Sequence, residues 1–400
     1  MPQENSILLG FTVPDSLAKS VFEVDSLPAA QTHNFAWSLA RALREGFGGI
    51  SLVSTVPIQN FPLGKKILLR GGDFSENGFD GVLLGFPNFV GVKQVARFFF
   101  CLLKVSRIVV TRKVRWLFLH GVHTPFLLAA VLFRVLGVRA VVVLTDPPGV
   151  IRSTDGPLTR LLKRLDAALI KTMLGRLDGV LALAPELLKL VPEKPALVFP
   201  GILSSDFSSR VERLSVPAAN EKFTIVYAGT LDAAYGVGLL LDAIEDLREI
   251  PVCLRVFGQG DVEDRLKALV EIDSRFFYGG FRGGDELTLE LMAADLLINP
   301  RPSRQSFAVS SFPSKLIEYL GTGRPVLSTR IESIPDAYRP HFLFIDDESA
   351  SGIKSAILKV AGRADQERRS RGCAAKKFIE ETASERSVGR RIFEFVESLK

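Results

Sequence analysis

The stretch LSSDFSSRVERLSVPAANEKFTIVYAG (203–229) divides the 400-residue chain. Its first twenty residues, 203–222, are rich in Ser and charge and carry no apolar periodicity, which predicts a linker. At Phe223 a β-branched and aromatic run starts and stops at Gly229, the pattern of a buried strand. Working upstream, similar runs at 7–12, 51–55, 80–86, 115–120, 139–146, 178–184 and 196–201 alternate with longer helical patterns. Downstream they recur at 252–258, 275–280, 295–300, 324–329 and 342–346. Apolar strands alternating with helices predict parallel sheets covered on both faces, a doubly wound α/β architecture. Thirteen strands are too many for one such sheet, so the break predicts two Rossmann-like domains. Their bounds are 1–203 and 223–380, with 204–222 between them and a C-terminal helix in 381–400 that packs on either domain, the N-terminal one included.

Composition agrees with a chain of ample core. It is 47% apolar and 24% charged, which excludes disorder as the main theme. The net charge of +6 is uneven. Residues 1–200 hold 23 basic and 14 acidic side chains, and residues 201–400 hold 27 and 30. A basic half points to an anionic membrane surface, nucleic acid or a phosphorylated substrate. Cys101, Cys253 and Cys373 are odd in number and widely spaced, so they build neither a disulfide framework nor a zinc site, and a reducing cytosol fits. The N-terminus shows no positive region ahead of an apolar run, so no secretory signal is expected. The uncharged window from Trp116 to Phe133 is interrupted by His120, Gly121, His123, Thr124 and Pro125, which predicts strand, turn and helix rather than a membrane span.

The segment richest in chemistry is SSFPSKLIEYLGTGRPVLST (310–329). A Ser-rich loop enters a helix with Pro313 at its start, Ser311 or Ser314 as cap, and Gly321 or Gly323 as exit. The amides of that helix start and the charge of Lys315 suit a diphosphate. Glu318, on the same face as Ser314 and Lys315, suits the hydroxyls of a ribose. The alternative is an ordinary surface pair of Lys315 and Glu318. Two glycine turns strengthen the phosphate reading, Gly229–Thr230 after one strand and Gly258 with Gly260 after the next, since glycine permits close backbone approach to a ligand.

These residues also carry a resemblance. YAGTLDAAYGVGLLLDAI (227–244), INPRPS (298–303) and FPSKLIEYLGTGRPVLSTRIESIPDAY (312–338) resemble the C-terminal half of family 4 retaining glycosyltransferases, particularly the group that assembles bacterial exopolysaccharides. The N-terminal half resembles the same family more faintly through 27–43, 141–149 and 194–203. The resemblance implies a GT-B fold, two Rossmann-like domains facing across a cleft, with a nucleotide-sugar held by the C-terminal domain and the acceptor by the N-terminal one. It gives Glu318 the second place in the family's Glu-x7-Glu signature, a contact to the donor ribose. Ser310 stands where the first glutamate belongs. The family's Arg and Lys after the first strand of the donor domain are missing, with Thr230 and Tyr235 near their places. Positive charge for the departing diphosphate must come from elsewhere, and Arg301 and Lys315 are the candidates, with Arg304 a third.

In the N-terminal half, Gln31, Thr32 and His33 are expected just before an amphipathic helix, placing His33 to donate to phosphate or acceptor, or else to cap the helix or lie on the surface. Asp146 ends the strand VVVLT ahead of Pro147 and Pro148, as an acceptor-orienting carboxylate or base, or as ordinary turn chemistry. His120 and His123 read as structural. The four histidines have no metal-ligand spacing, and there is no Asp-x-Asp, no Gly-x-Ser-x-Gly and no Walker A loop, so no metal, lipase or NTPase chemistry is indicated.

Two helical stretches account for the basic half. In 92–107, Lys93, Arg97, Lys104 and Arg107 fall within a sector of roughly 80°, with Val95, Phe98, Phe99, Leu102 and Leu103 elsewhere around the helix. In 157–176, Arg160, Lys163, Arg164 and Lys171 lie opposite a Leu-rich face. A cationic stripe beside an apolar face suits an anionic bilayer; solvated faces of core-packed helices are the alternative. Nucleic acid, which needs aromatic platforms or a groove-reading helix, is disfavoured. The expectation is a peripheral glycosyltransferase on the cytoplasmic face of the plasma membrane. Its partners are a nucleotide-sugar, a substrate rather than a cofactor, and a lipid-linked saccharide. The rivals are a sugar-nucleotide hydrolase or epimerase and a non-catalytic GT-B subunit.

Overall fold

Strand β1 (Ser6–Gly10) buries every side chain, with Ile7 and Leu9 in the core on one face of its sheet and Leu8 in the core on the other. That period of two, in a strand apolar throughout, is what a parallel strand covered on both faces requires. The same division of side chains marks β7 and β8 below.

The computed structural model describes residues 5–25, 29–148, 156–215, 221–305, 308–309 and 311–400. The chain forms two units, Met1–Ile202 with Glu385–Lys400, and Leu203–Ser384. The strands of the first are β1, β2 (Ile50–Ser54), β3 (Leu68–Leu69), β4 (Gly72–Glu76), β5 (Phe79–Leu83), β6 (Phe86–Pro87), β7 (Trp116–His120), β8 (Arg139–Leu144), β9 (Gly179–Ala182) and β10 (Ala196–Val198). Eight of them form one sheet in the order β10-β9-β8-β7-β1-β2-β5-β4, parallel except for β4. β4 and β5 form a hairpin whose Asn77 and Gly78 both have positive φ, 54° and 72°, the demand of a tight two-residue turn that Asn-Gly meets. The strands β3 and β6 pair separately. The hairpin strand β4 and the small pair β3–β6 are additions to the strands expected from sequence.

Helices Val92–Arg112, Thr124–Val135 and Pro157–Leu174 cover one face of this sheet, sharing a core with Leu117, Leu119, Ala140 and Val142. The other face is covered by Ala30–Phe47 and the C-terminal helix Glu385–Ser398. Those two helices cross at a pair of glycines. A Cβ on Gly46 would meet the Gly389 carbonyl oxygen at 2.4 Å, and one on Gly389 would meet the Ala42 oxygen at 2.0 Å. The buried pair Arg41 Nε–Glu385 Oε1, 2.6 Å, ties the same helices. The C-terminal helix thus belongs to the first unit. The window from Trp116 is β7, a turn at Gly121 and the helix Thr124–Val135. Among the described residues no helix is long and apolar enough to cross a membrane.

The second unit holds β11 (Phe223–Ala228), β12 (Val252–Phe257), β13 (Phe276–Tyr278), β14 (Leu296–Asn299), β15 (Val326–Thr329) and β16 (Leu343–Ile345). They form a wholly parallel sheet in the order β13-β12-β11-β14-β15-β16. The polar stretch after Leu203 is not a linker throughout. Ser204 caps a helix, Ser205–Arg213, by accepting from the Asp206 amide, and Phe207 and Val211 are buried in this unit's core. Two apolar residues four apart supply too short a stripe to stand out among serines and charges, yet they suffice to seat one face of a nine-residue helix. Both units are mixed α/β with parallel sheets.

Candidate functional site

In the second sheet the strand order reverses between β11 and β14, the position at which open α/β sheets bind ligands beyond the strands' carboxyl ends. Here the sheet also parts. β11 runs beside β12 through six pairs, up to Ala228 with Phe257, but pairs with β14 only at Ile225 and Val226. Beyond Val226 the backbone of β11 has lost its neighbour. Tyr319 fills that gap: its hydroxyl accepts from the Ala228 N–H at 2.7 Å and donates to the Ala228 carbonyl at 3.0 Å. Satisfying both groups removes the penalty of unpaired buried backbone. Burial holds the Tyr319 phenol above its usual range, so it stays a neutral donor.

Around this opening lie the turns that follow the strands. Gly229 and Thr230 follow β11, with Thr230 exposed and its carbonyl accepting from the Tyr227 hydroxyl at 2.7 Å. The turn after β12 packs directly on it. Gly258 has φ +136°, and a Cβ there would lie 1.8 Å from the Gly229 oxygen; a Cβ on Gly260 would lie 2.4 Å from the Leu231 carbonyl. The Leu231 N–H donates to Gln259 O, and Asp261 accepts from the Ala233 N–H. Gly258 and Gly260 are therefore required by backbone meeting backbone. The close approach expected of them is to the neighbouring turn, which they hold in place.

Arg301 follows β14 and is buried, with its guanidinium 4.8 Å from the centre of the Tyr235 ring and Nη1 donating to the Ser311 carbonyl at 3.2 Å. Ser333 donates to the same carbonyl, and the Thr329 hydroxyl donates to the Arg301 carbonyl. The segment is pinned further by the Ser303 N–H, which donates to Glu348. Gly236, at φ +77°, lets the Pro300 carbonyl approach where any Cβ would sit, at 2.2 Å. The cation thus reaches the turn after β11 from β14, beside Tyr235, one of the positions where the resemblance finds a charge missing. Arg304 is exposed.

The helix expected after Pro313 runs Lys315–Gly321. Ser314 is exposed and precedes it in helical conformation without capping, because a cap needs an extended backbone that Ser314 lacks. Gly323, at φ +77°, provides the left-handed exit. Lys315 Nζ and Glu318 Oε2 are 3.3 Å apart, each about one-third exposed, so the two residues expected to meet a nucleotide meet each other. Ser310 lies outside the described residues, as do Leu27 and Pro28 of the N-terminal motif and Gly149.

In the first unit, Asp146 is exposed just beyond the carboxyl end of β8. His33 differs from expectation. It lies inside the helix Ala30–Phe47, buried, with Nε2 2.8 Å from Asp15 and Phe22 edge-on to its ring. Helix formation from Ala30 turns it inward, since its position shares a face with buried Trp37 and Ala40. His120 and His123 pack around Phe11, as structural residues do. Burial lowers the His120 pKa to about 4. Among the described residues no group of His, Cys, Asp and Glu is placed to hold a metal.

Tyr319 and Tyr227 line this opening without having been singled out from sequence, and the seating of Arg301 on the Tyr235 ring is a contact that the sequence does not show. Tyr319 sits in the motif that was read for Lys315 and Glu318; its only signal is a hydroxyl on the buried side of that helix.

Residues 222–362 match the family model described as glycosyl transferases group 1. A putative colanic acid biosynthesis glycosyltransferase, WcaL of Salmonella typhimurium, is 27% identical over 150 residues, 36% of this chain and 36% of that protein. The amylovoran biosynthesis glycosyltransferase AmsK of Erwinia amylovora is 24% identical over 30% of each. The match thus spans about a third of the length of these curated relatives. Among solved structures, sucrose-phosphate synthase from Thermosynechococcus elongatus superposes with a TM-score of 0.66 at 13% identity, covering 99% of both chains. Anabaena HepE in complex with UDP gives 0.62 at 12%, covering 98% of this chain and all of that one. At these identities the structural likeness is one of fold. By sequence, residues 222–362 match the group 1 glycosyltransferases, and by fold the whole chain is a GT-B protein.

Proposed function

We propose that the chain is a glycosyltransferase that moves a hexose from a nucleotide-sugar to a lipid-linked saccharide in surface polysaccharide biosynthesis. The observation that carries this reading is the parted sheet between β11 and β14, inside the family match, with Gly229, Thr230 and Arg301 at its mouth. The relatives are named for colanic acid and amylovoran biosynthesis, and HepE is a structure holding UDP.

In this reading the bond between the sugar's anomeric carbon and the diphosphate oxygen breaks, a bond to the acceptor oxygen forms with retention, and the acceptor hydroxyl's proton passes to the departing diphosphate, without a metal ion. The nucleotide-sugar is consumed, so it is a substrate and no cofactor is involved. Arg301 and Lys315 face the charge that grows on the leaving diphosphate, and fixed cations in a water-poor site lower that barrier by several kcal/mol. Glu318 accepts from the ribose hydroxyls once Lys315 turns from it to phosphate, which makes their present pairing the resting arrangement of a two-part ligand set. Ser314 and the Gly229–Thr230 turn contribute hydrogen bonds to the diphosphate, and Gly258 and Gly260 hold that turn. Asp146 is the acceptor-side carboxylate, and His33 acts there only by positioning Asp15. The work is done at the cytoplasmic face of the plasma membrane, on an anionic surface.

Donor binding and turnover of Lys315→Ala and Glu318→Ala decide the matter. Each is expected to weaken nucleotide-sugar binding about 10-fold, one charge-assisted contact apiece. Full binding and turnover in both would remove the assignment. Consumption of donor without acceptor would point to a hydrolase or epimerase instead.

A further inference from the structure

The basic stripe read from residues 92–107 does not face solvent as a stripe. In the helix Val92–Arg112, Lys93 and Arg97, each 4% exposed, point inward with the fully buried Cys101 and Val105. Lys93 donates to the Ile58 carbonyl at 2.5 Å and Arg97 to the Val56 carbonyl at 2.8 Å, and both cations lie over the Phe86 ring. They staple the loop after β2 to this helix. With the cations turned in, the opposite side of the helix is apolar and open: Phe99 is 62% exposed and Leu103 66%.

This side is not isolated. Helices Val92–Arg112, Thr124–Val135 and Pro157–Leu174 pack over the same sheet face, so the sides they turn away from the core share one face of the unit. Leu132 and Val135 continue the apolar surface on the second helix, and Leu161, Leu162, Leu165 and Leu169 on the third. The loops at the start of the first helix extend it, where Phe61 and Phe89 stand edge to face, 6.0 Å apart and exposed. Nineteen of the twenty-two exposed large hydrophobic side chains among the described residues lie between Phe61 and Leu169. The twelve on the three helices together present on the order of 1,000 Å², against a few hundred for a usual surface patch.

Charge selects the occupant. Residues 81–145 contain nine Lys and Arg and no Asp or Glu. On the third helix, at 100° per residue, Leu161, Leu162, Leu165 and Leu169 fall within roughly 100° and Arg160, Arg164 and Lys171 within roughly 40° beside them. The exposed Asp166 accepts from Thr124. A second copy presenting the same cationic face would repel this one, whereas an anionic lipid surface complements both the apolar sector and the cations along its border.

We propose that the outward side of these three helices is a docking face that enters one leaflet of an anionic bilayer and lies in its interface. It deepens and rests on the reading of a membrane-surface transferase, and it replaces electrostatic attachment by insertion. Phe99, Leu103 and Leu165 reach the acyl boundary; Arg107, Arg164 and Lys171 remain at the headgroups.

The test uses the full chain with vesicles of phosphatidylglycerol and phosphatidylcholine in equal parts, and of phosphatidylcholine alone. Trp37 and Trp116 are buried, so Phe99→Trp supplies a reporter at the face. The expected results are flotation with the anionic vesicles, retained in part at about 0.5 M salt where surface charge is screened, with blue-shifted emission quenched by brominated acyl chains. Leu103→Asp with Leu165→Asp should lose binding at least 10-fold, while Ile272→Asp, on the other unit, should not; the near-ultraviolet signal of Trp37 and Trp116 checks folding. No vesicle binding would overturn the proposal. So would binding abolished by salt and indifferent to Leu103→Asp with Leu165→Asp, or self-association that these substitutions remove without any vesicle binding. Nucleotide-sugar calorimetry on the same protein separates the two readings. Docking lost with donor binding intact defeats the face alone, and donor binding lost with docking intact defeats the transferase alone.

Discussion

A buried cation must be held, and in the function proposed above the holding and the chemistry coincide at Arg301. The Tyr235 face and the Ser311 carbonyl hold the guanidinium. Lys93 and Arg97 show the same physics turned to structure, since their acceptors are loop carbonyls. Burial lowers the Lys93 pKa to about 7 and the Arg97 pKa to about 9. Spacing located all three cations but could not say which way they point, because a helical sector is a fact about one helix and burial is a fact about what packs on it.

His120 yields a prediction at this scale. Its folded pKa of about 4 lies below the ordinary 6.5. The unfolded chain therefore binds a proton that the folded chain refuses between those values, and stability is full above pH 6.5 and falls as pH drops toward 4. The expected loss is about 1 kcal/mol per pH unit within that window. Denaturant titration followed by tryptophan emission, which reports only the first unit, should show a shallower decline in His120→Gln than in the parent. An equal decline would contradict the neutral buried histidine.

Among elements, the strands were the most legible part, since a fully buried parallel strand announces itself as an apolar run. The hairpin strand β4, GDFSE, was not, because an edge strand half in solvent has no such run; its Asn-Gly turn was the available signal. The helix Ser205–Arg213 hid among serines for the same reason. The C-terminal helix was legible as amphipathic, but its partner was not, as only the fold brings Gly389 against Ala42 and Gly46. That crossing predicts that Gly389→Ala, which puts a Cβ 2.0 Å from a backbone oxygen, destabilises the first unit by about 1–3 kcal/mol. Tm by tryptophan emission would show it, whereas Gly72→Ala in the same unit, with nothing within 4 Å of the added Cβ, should be nearly neutral. Gly258→Ala, at φ +136° and 1.8 Å from Gly229 O, should move the turn beneath Thr230 and weaken nucleotide binding about 10-fold or more, read by calorimetry.

At the scale of the whole molecule, the uneven charge noted in the sequence acquires a structural meaning. The basic half carries its cations in two ways, inward as staples and outward as a border to apolar helices. The other half carries the parted sheet on which the proposed chemistry rests. The two-sheet architecture could be read from alternation and one break in pattern. The site could be read only in outline, because glycines, Lys315 and Glu318 mark where the turns are, whereas Tyr319 and Tyr235 enter through contacts between segments 91 and 66 residues apart. The most direct measurement of the central claim is calorimetric titration of the full chain with UDP, GDP and ADP, beside Arg301→Ala. The account predicts that one nucleoside diphosphate binds and that Arg301→Ala weakens it at least 10-fold, the loss of a charge-assisted contact to phosphate. Binding of none, or equal binding by both proteins, would contradict it.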